Sequence, residues 1–246
     1  MRIALISDIH GNLVALDSVL RELAQEPIDQ IICLGDVAAL GPQPHEVIER
    51  LRQLRCPVIL GNTDAWLLRP PGTKTADSAI LSAITSWCRE QLTPEDRDYL
   101  QTFSPLLELS LDAEKRLLCY HGSPHSFDDV IASITPDTDV QAMLSGYSAT
   151  VFAGGHTHIQ MIRRYQNAHI VNVGSIGLPG VNAGSPELPM NHHVRWAEYG
   201  VLSNEHGRLS IDLRRTPLDL AKLRESGSNS AMPYLDWWLQ KWDNND

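Results

Sequence analysis

Seven residues in this chain are of the types that hold hard or borderline metal ions, and each follows a short apolar run. They lie in SDIHG (Asp8, His10), LGDV (Asp36), LGNTD (Asn62), YHGS (His121) and GGHTH (His156, His158). Three oxygen donors and four imidazoles without a thiolate suit a divalent cation such as Mn, Fe or Zn. Singly, a D-x-H or H-x-H is as well explained by a cap or a satisfied core group. Together, in this order, they point to a metal site. On extended backbone the two residues of each pair would point to one face. The glycines beside them let the chain turn sharply next to the site.

These segments need a scaffold that gathers strand ends. IALI (Ile3–Ile6) and IICL (Ile31–Leu34) read as strands buried on both faces, and PVIL (Pro57–Leu60) as a third. Between them lie helices, one opened by Asn12 with Leu13, Leu16, Leu20 and Leu23 on a stripe, one starting near Gln43. Alternating strands and helices imply parallel pairing, with ligands at the strand ends. Further helices are expected around Ile80–Cys88, after the Thr93-Pro94 cap, and from Thr216. Later segments alternate in polarity, as in mixed or antiparallel sheets. GSNSA (Gly227–Ala231) reads as a flexible joint. A terminal helix over about 231–242 then carries Leu235, Trp238, Leu239 and Trp242 on one face, docked on its own domain or at a dimer contact.

Bulk composition narrows the partners. The chain has 246 residues, 43% hydrophobic and 20% charged, and a formal net charge of −10. That balance argues against long nucleic acids and anionic membranes, which call for clustered Lys and Arg. The pairs Arg163–Arg164 and Arg214–Arg215 read as solvated faces. Cys33, Cys56, Cys88 and Cys119 have no C-x-x-C spacing, and no apolar run is long enough for a membrane span, so a reducing cytoplasm is expected. One domain over residues 1–246 is the simplest organisation.

The order D-x-H, G-D, G-N-x-D, H-G, G-H-x-H, continued into VNVGSIGLP (Val171–Pro179), resembles the calcineurin-like metallophosphoesterase superfamily, in its small prokaryotic phosphodiesterase-like branch. The resemblance implies a four-layer α/β/β/α sandwich of two mixed sheets and a binuclear metal centre. Asp8, His10 and His158 would hold one ion. Asn62, His121 and His156 would hold the other, and Asp36 would bridge both. A bridging hydroxide would be the nucleophile, with Asp36, Asn62 and His121 holding it and the phosphate. Mn is the ion expected to support activity in vitro.

The chain departs from the resemblance at one place. Many relatives follow the asparagine with a histidine that protonates the leaving group, and phosphatases of the Ser/Thr type add an aspartate three residues after the bridging one. Here those positions are Thr63 and Ala39. Their joint replacement points to a small phosphodiester or phosphoanhydride as substrate, with a phosphomonoester or a dinucleoside polyphosphate as the alternative. His45 and His125 are the candidates for a replacement acid; as plain residues they read as solvated loop histidines. Asp64 reads as the cap of a helix beginning at Ala65. His169, His192, His193 and His206 read as surface or structural. A non-catalytic scaffold, as in the retromer subunit of this fold, would be expected to lose ligands that this chain keeps. A homodimer is compatible with the tryptophan-rich tail.

Overall fold

A computed structural model describes residues 1–69, 79–180, 195–240 and 242. His192 and His193 lie outside the described residues.

Two mixed sheets form the centre. The first has the order β2-β1-β8-β9, from β1 (Arg2–Ile6), β2 (Gln30–Cys33), β8 (Trp196–Glu205) and β9 (Arg208–Pro217). β1 runs parallel to β2 and antiparallel to β8, and β8 and β9 form a long hairpin. The second has the order β3-β4-β5-β7-β6, from β3 (Leu107–Ser110), β4 (Arg116–Cys119), β5 (Val151–Gly154), β6 (Met161–Tyr165) and β7 (Ala168–Asn172). Here β4, β5 and β7 run parallel, flanked by antiparallel β3 and β6.

The apolar alternation assigns the layers. On β1, Ile3 and Leu5 join Ile32, Val171, Val173 and Leu202 in a core between the two sheets. Ala4 and Ile6 face the other way, into a core beneath α1 (Leu13–Leu23), α2 (Pro44–Leu54) and α7 (Leu220–Ser230). A third core lies on the far side of the second sheet, where Val140 of α6 (Asp137–Met143) and Leu144 just beyond it pack on Phe152 and Ile170. The order of layers is therefore α/β/β/α. β1 reads as a continuous apolar run because it is covered on both faces.

Local chemistry sets most element starts. The Asn12 side chain accepts from Ala15 N at 3.0 Å at the start of α1. Thr93 and Asp96 form a reciprocal capping box on α5 (Pro94–Leu100). α4 (Ala79–Gln91) buries Ile84 and Cys88 as its spacing predicts.

The structure corrects three local expectations. Val58 and Ile59 make only isolated bridges, to Cys33 and Ser104; the chain turns into α3 (Asn62–Leu68) too soon for a strand. The late helix begins at Leu220 with Asp219 as its cap, and Thr216 and Pro217 belong to β9. GSNSA is not a joint: Gly227–Ser230 completes α7, and Ala231 in the left-handed region ends it. A Cβ at Gly227 would come within 2.8 Å of Leu235 Cδ1, so close packing by α8 (Leu235–Gln240) holds helical a stretch of poor intrinsic propensity. Trp238 and Trp242 are buried in the same core as α1 and α2.

Candidate metal centre

All seven sequence-picked donors except Asn62 fall into two adjoining groups. Asp8, His10, Asp36 and His158 form one; Asp36, His121 and His156 form the other, and within each the donor atoms lie within 4.8 Å of one another. Asp36 belongs to both. Asn62 completes the second group, its Oδ1 lying 3.1 Å from both His121 Nε2 and His156 Nδ1. Every one of the seven is buried.

The backbone that presents them is not extended. Asp8, His10, Asp36, His156 and His158 have φ of +53°, +48°, +54°, +69° and +58°. A side chain at such φ costs roughly 1–3 kcal/mol unless its surroundings enforce it. They do so here: Asp8 N, His10 N and Gly11 N donate in sequence to Gly35 O, Asp36 O and Val37 O, lacing the two loops together. Each D-x-H and H-x-H pair converges because both of its donors are left-handed, not because a strand alternates. Glycine is required at two close approaches. A Cβ on Gly61 would run into the Asp36 carboxylate, and one on Gly155 into Ser7 and Asp8.

The imidazole orientations decide what the centre can hold. His10 Nδ1 lies 3.1 Å from Ala39 O, His121 Nδ1 2.8 Å from Leu34 O, and His158 Nδ1 2.8 Å from Leu178 O. A carbonyl only accepts, so each Nδ1 carries the proton and a neutral ring leaves Nε2 bare. Yet His10 Nε2 faces His158 Nε2 at 3.1 Å, and His158 Nε2 faces Asp8 Oδ1 at 3.0 Å. Lone pairs so placed repel, and a cation among them removes the repulsion. Carbonyl-bound Nδ1 with free Nε2 is also how metal-binding histidines are oriented. The donor set fits divalent ions on this geometry.

The two buried carboxylates favour positive charge here, carried by a ring proton or by a bound cation. Burial opposes ionisation of Asp36, but His121 and its hydrogen bond outweigh it and hold the carboxyl well below the usual range. Asp8 is likewise lowered, with His158 overcoming its burial. Burial also opposes the charged form of His121, yet Asp36 and Asp8 raise it to about 10. His10 and His156 are pushed down to about 4, chiefly by burial. Two buried carboxylates thus attract positive charge to positions where the ring nitrogens can ligate. Cys33 and Cys119 are buried thiols raised by burial, outside the donor groups.

Around the donors stand residues that sequence reading passed over or misassigned. α3 begins at Asn62, so Asp64 is its third residue and not its cap. Its carboxylate accepts from Asp36 N and Val37 N, both at 2.8 Å, and from Gly61 N at 3.1 Å. The 28-residue separation hides that role from local pattern reading. Ser7 Oγ donates to Asp8 Oδ2 at 2.6 Å. The GSIGLPG segment (Gly174–Gly180) shapes a loop against the site. Ser175 Oγ donates to Asp8 O at 2.8 Å, and Asn12 Nδ2 to Gly177 O at 3.1 Å. Asn172 Oδ1 accepts from Gly174 N at 2.9 Å, and its amide donates to Gly155 O.

The candidate acids divide. Thr63 lies at the centre: its N donates to Asp36 Oδ1 at 2.9 Å, and its buried hydroxyl has no hydrogen-bond partner among the described residues. Ala39 contributes its carbonyl to His10. The structure does not bring His45 or His125 to the cluster. His45 Nδ1 pairs with Asp96 Oδ2 at 2.7 Å, and His125 Nε2 meets Ser145 O at 2.8 Å beside Tyr147. Three of the four paired arginines are engaged: Arg163 bonds Asp137, Arg214 bonds Glu26, and Arg215 bonds Glu198.

Fold and donor set together define a two-sheet α/β metallophosphoesterase. Residues 1–190 match the calcineurin-like phosphoesterase superfamily domain, and the chain belongs to that superfamily. It is thereby a metal-dependent phosphoric ester hydrolase. Phosphodiesterase YfcE of Escherichia coli K12 is 26% identical over 215 residues, covering 83% of this chain and 89% of its own. An uncharacterized protein of Methanocaldococcus jannaschii is 26% identical over 236 residues, covering 94% and 93%. A solved metallophosphoesterase from Sphaerobacter thermophilus superposes with a TM-score of 0.73 at 22% identity, covering 98% of each chain, and so shares the fold.

Proposed function

We propose that this protein hydrolyses small phosphodiesters or phosphoanhydrides at a centre of two divalent ions, Mn, Fe or Zn. The observation that carries this is the sharing of the Asp36 carboxylate by two donor groups. Asp8, His10 and His158 would hold one ion, Asn62, His121 and His156 the other, and Asp36 both. Two such ions supply an activated water and a clamp on the phosphoryl oxygens.

The chain's own groups do the positioning. Leu34, Ala39 and Leu178 fix three imidazoles through their carbonyls, and Asp64 fixes the Asp36 loop. The buried walls exclude bulk water. Thr63 has no titrating proton near neutral pH, and neither His45 nor His125 stands in for one. A poor alkoxide leaving group is helped by a general acid, roughly 10²–10⁴-fold; the phosphate leaving group of an anhydride needs it less. The likeness to a protein named phosphodiesterase supports the same choice.

We further propose one domain over residues 1–246. Among the described residues no helix is long and apolar enough to cross a membrane, and all four cysteines are free. The reducing cytoplasm is the compartment we propose on that thiol chemistry.

The test is kcat/KM for a chromogenic phosphodiester and its matching monoester, with Mn added to metal-stripped enzyme and Asn62→Ala as control. A diester preference is expected. A wide monoester preference overturns the reading and means that another acid serves the pocket.

A further inference from the structure

Beside the metal centre, at the same edge of the sandwich, lies a polar cluster that the mechanism above does not use. Arg215 is the second residue of its pair on β9, register-paired with Glu198 of β8. On β9, Leu209, Ile211 and Leu213 pack against the core between the sheets. Arg215 continues that parity, so it projects to the inter-sheet face at the end of the strand. Glu198 is 3% exposed, and its Oε1 accepts from Arg215 Nε at 3.0 Å. Gln160 Oε1 accepts from the same Nε at 3.3 Å. The Gln160 amide is in turn fixed to three carbonyls, Val173 O, Tyr199 O and Arg214 O, at 3.4, 3.2 and 2.9 Å. The guanidinium lies 5.5 Å above the ring of Trp196.

This arrangement binds Arg215 through one nitrogen only. Its two terminal nitrogens have no hydrogen-bond partner among the described residues, and the side chain is 53% exposed. A guanidinium anchored by Nε, held over an indole and open at its fork is built to receive a planar or tetrahedral oxyanion.

Its distance from the centre is set by the sheet. Glu198 N donates to Ser175 O at 2.9 Å, and Ser175 Oγ donates to Asp8 O. Gln160 follows His158 by two residues. β9 is two strands from β1, which at about 4.8 Å per strand places Arg215 on the order of 10 Å from Asp8. A diester whose far arm carries a second phosphate spans that gap.

We propose that Arg215, positioned by Glu198 and Gln160, binds a second phosphate of the substrate, on the far side of the scissile diester. The inference rests on the phosphodiesterase reading and narrows it to substrates of the dinucleotide kind that bear a terminal phosphate.

The test compares thymidylyl-thymidine with and without a 5′-phosphate, pTpT and TpT, which share one scissile bond. Wild type is expected to favour pTpT in kcat/KM by about tenfold or more, the effect of one charge-assisted hydrogen bond. Arg215→Gln should bring that ratio near one, and Arg215→Lys, which keeps charge but not the fork, should fall between. A ratio near one in wild type, or one unchanged in both variants, overturns the proposal. Calorimetric binding of non-hydrolysable methylenephosphonate analogues of the two dinucleotides to the Mn-loaded proteins reads the same ratio without turnover. If wild type hydrolyses neither compound yet binds pTpT more tightly through Arg215, the diesterase reading fails and the subsite stands. Equal binding in wild type and Arg215→Gln removes the subsite whatever the turnover.

Discussion

The Asp64 carboxylate holds the backbone of the Asp36 loop, accepting from Asp36 N and Val37 N at 2.8 Å each while also capping Gly61 N at the start of α3. One side chain thereby couples the helix carrying Asn62 to the loop carrying the residue both donor groups share. Asp64→Ala would leave three buried N–H groups without a partner, at roughly 1–3 kcal/mol for each. Asp64→Asn would keep one acceptor and cost less. The expected order in urea unfolding is wild type, then Asn, then Ala, with bound metal falling in the same order. A fully stable Asp64→Ala would show that the clamp is dispensable.

Metal content should follow the sharing of ligands. Wild type is expected to bind about two Mn ions per chain, Asn62→Ala about one, and Asp36→Ala neither, as read by elemental analysis after dialysis. Ions that bind only the folded chain stabilise it by about 2.7 kcal/mol each at a hundredfold excess over Kd. Chelator should therefore lower Tm by several degrees, and added Mn should restore it. Identical metal content in wild type and Asp36→Ala would contradict the shared-ligand arrangement.

His45, partly exposed, pairs with the buried carboxylate of Asp96 and not with the donors. Their hydrogen bond raises His45 even though burial opposes it, and lowers Asp96 against its burial. The His45 contribution is present in full below its unfolded pKa and is lost as pH rises through the raised folded value. The Asp96 contribution is present above its unfolded pKa and is lost as pH falls. The pair therefore stabilises most between about pH 4 and 6.5. The His45 side chain is 41% exposed, so the gain is under about 1 kcal/mol. His45→Ala should lower Tm slightly at pH 5.5 and not at pH 9, with kcat/KM unchanged. A large loss of activity would return His45 to the list of acids.

Trp238 is 1% exposed in the core shared with α1 and α2, and its ring centroid lies 5.9 Å from that of Trp242. Trp238→Ala is expected to cost about 3–5 kcal/mol. If the tail is docked on its own chain, Tm of the variant and of wild type should be independent of protein concentration. A strong concentration dependence in wild type alone would assign the tryptophans to a dimer contact instead.

The sequence by itself determined the candidate donors and most of the elements that carry them. Asp8, His10, Asp36, Asn62, His121, His156 and His158 are legible because each follows an apolar run, and burial on both faces writes β1 and β2 as such runs. Caps at Asn12 and Thr93 are equally local. Tertiary structure decided what depends on distant partners. The left-handed φ of five donors is enforced by loops laced to one another, so periodicity alone suggested extended backbone there. Asp64 looked like an ordinary cap because its two further acceptances join backbone more than 25 residues away. GSNSA became helix because Leu235 packs on Gly227. His45 and His125 were set apart from the cluster by Asp96 and Ser145, partners that no spacing reveals. The sequence names chemical groups; packing and long-range hydrogen bonds choose which of them meet.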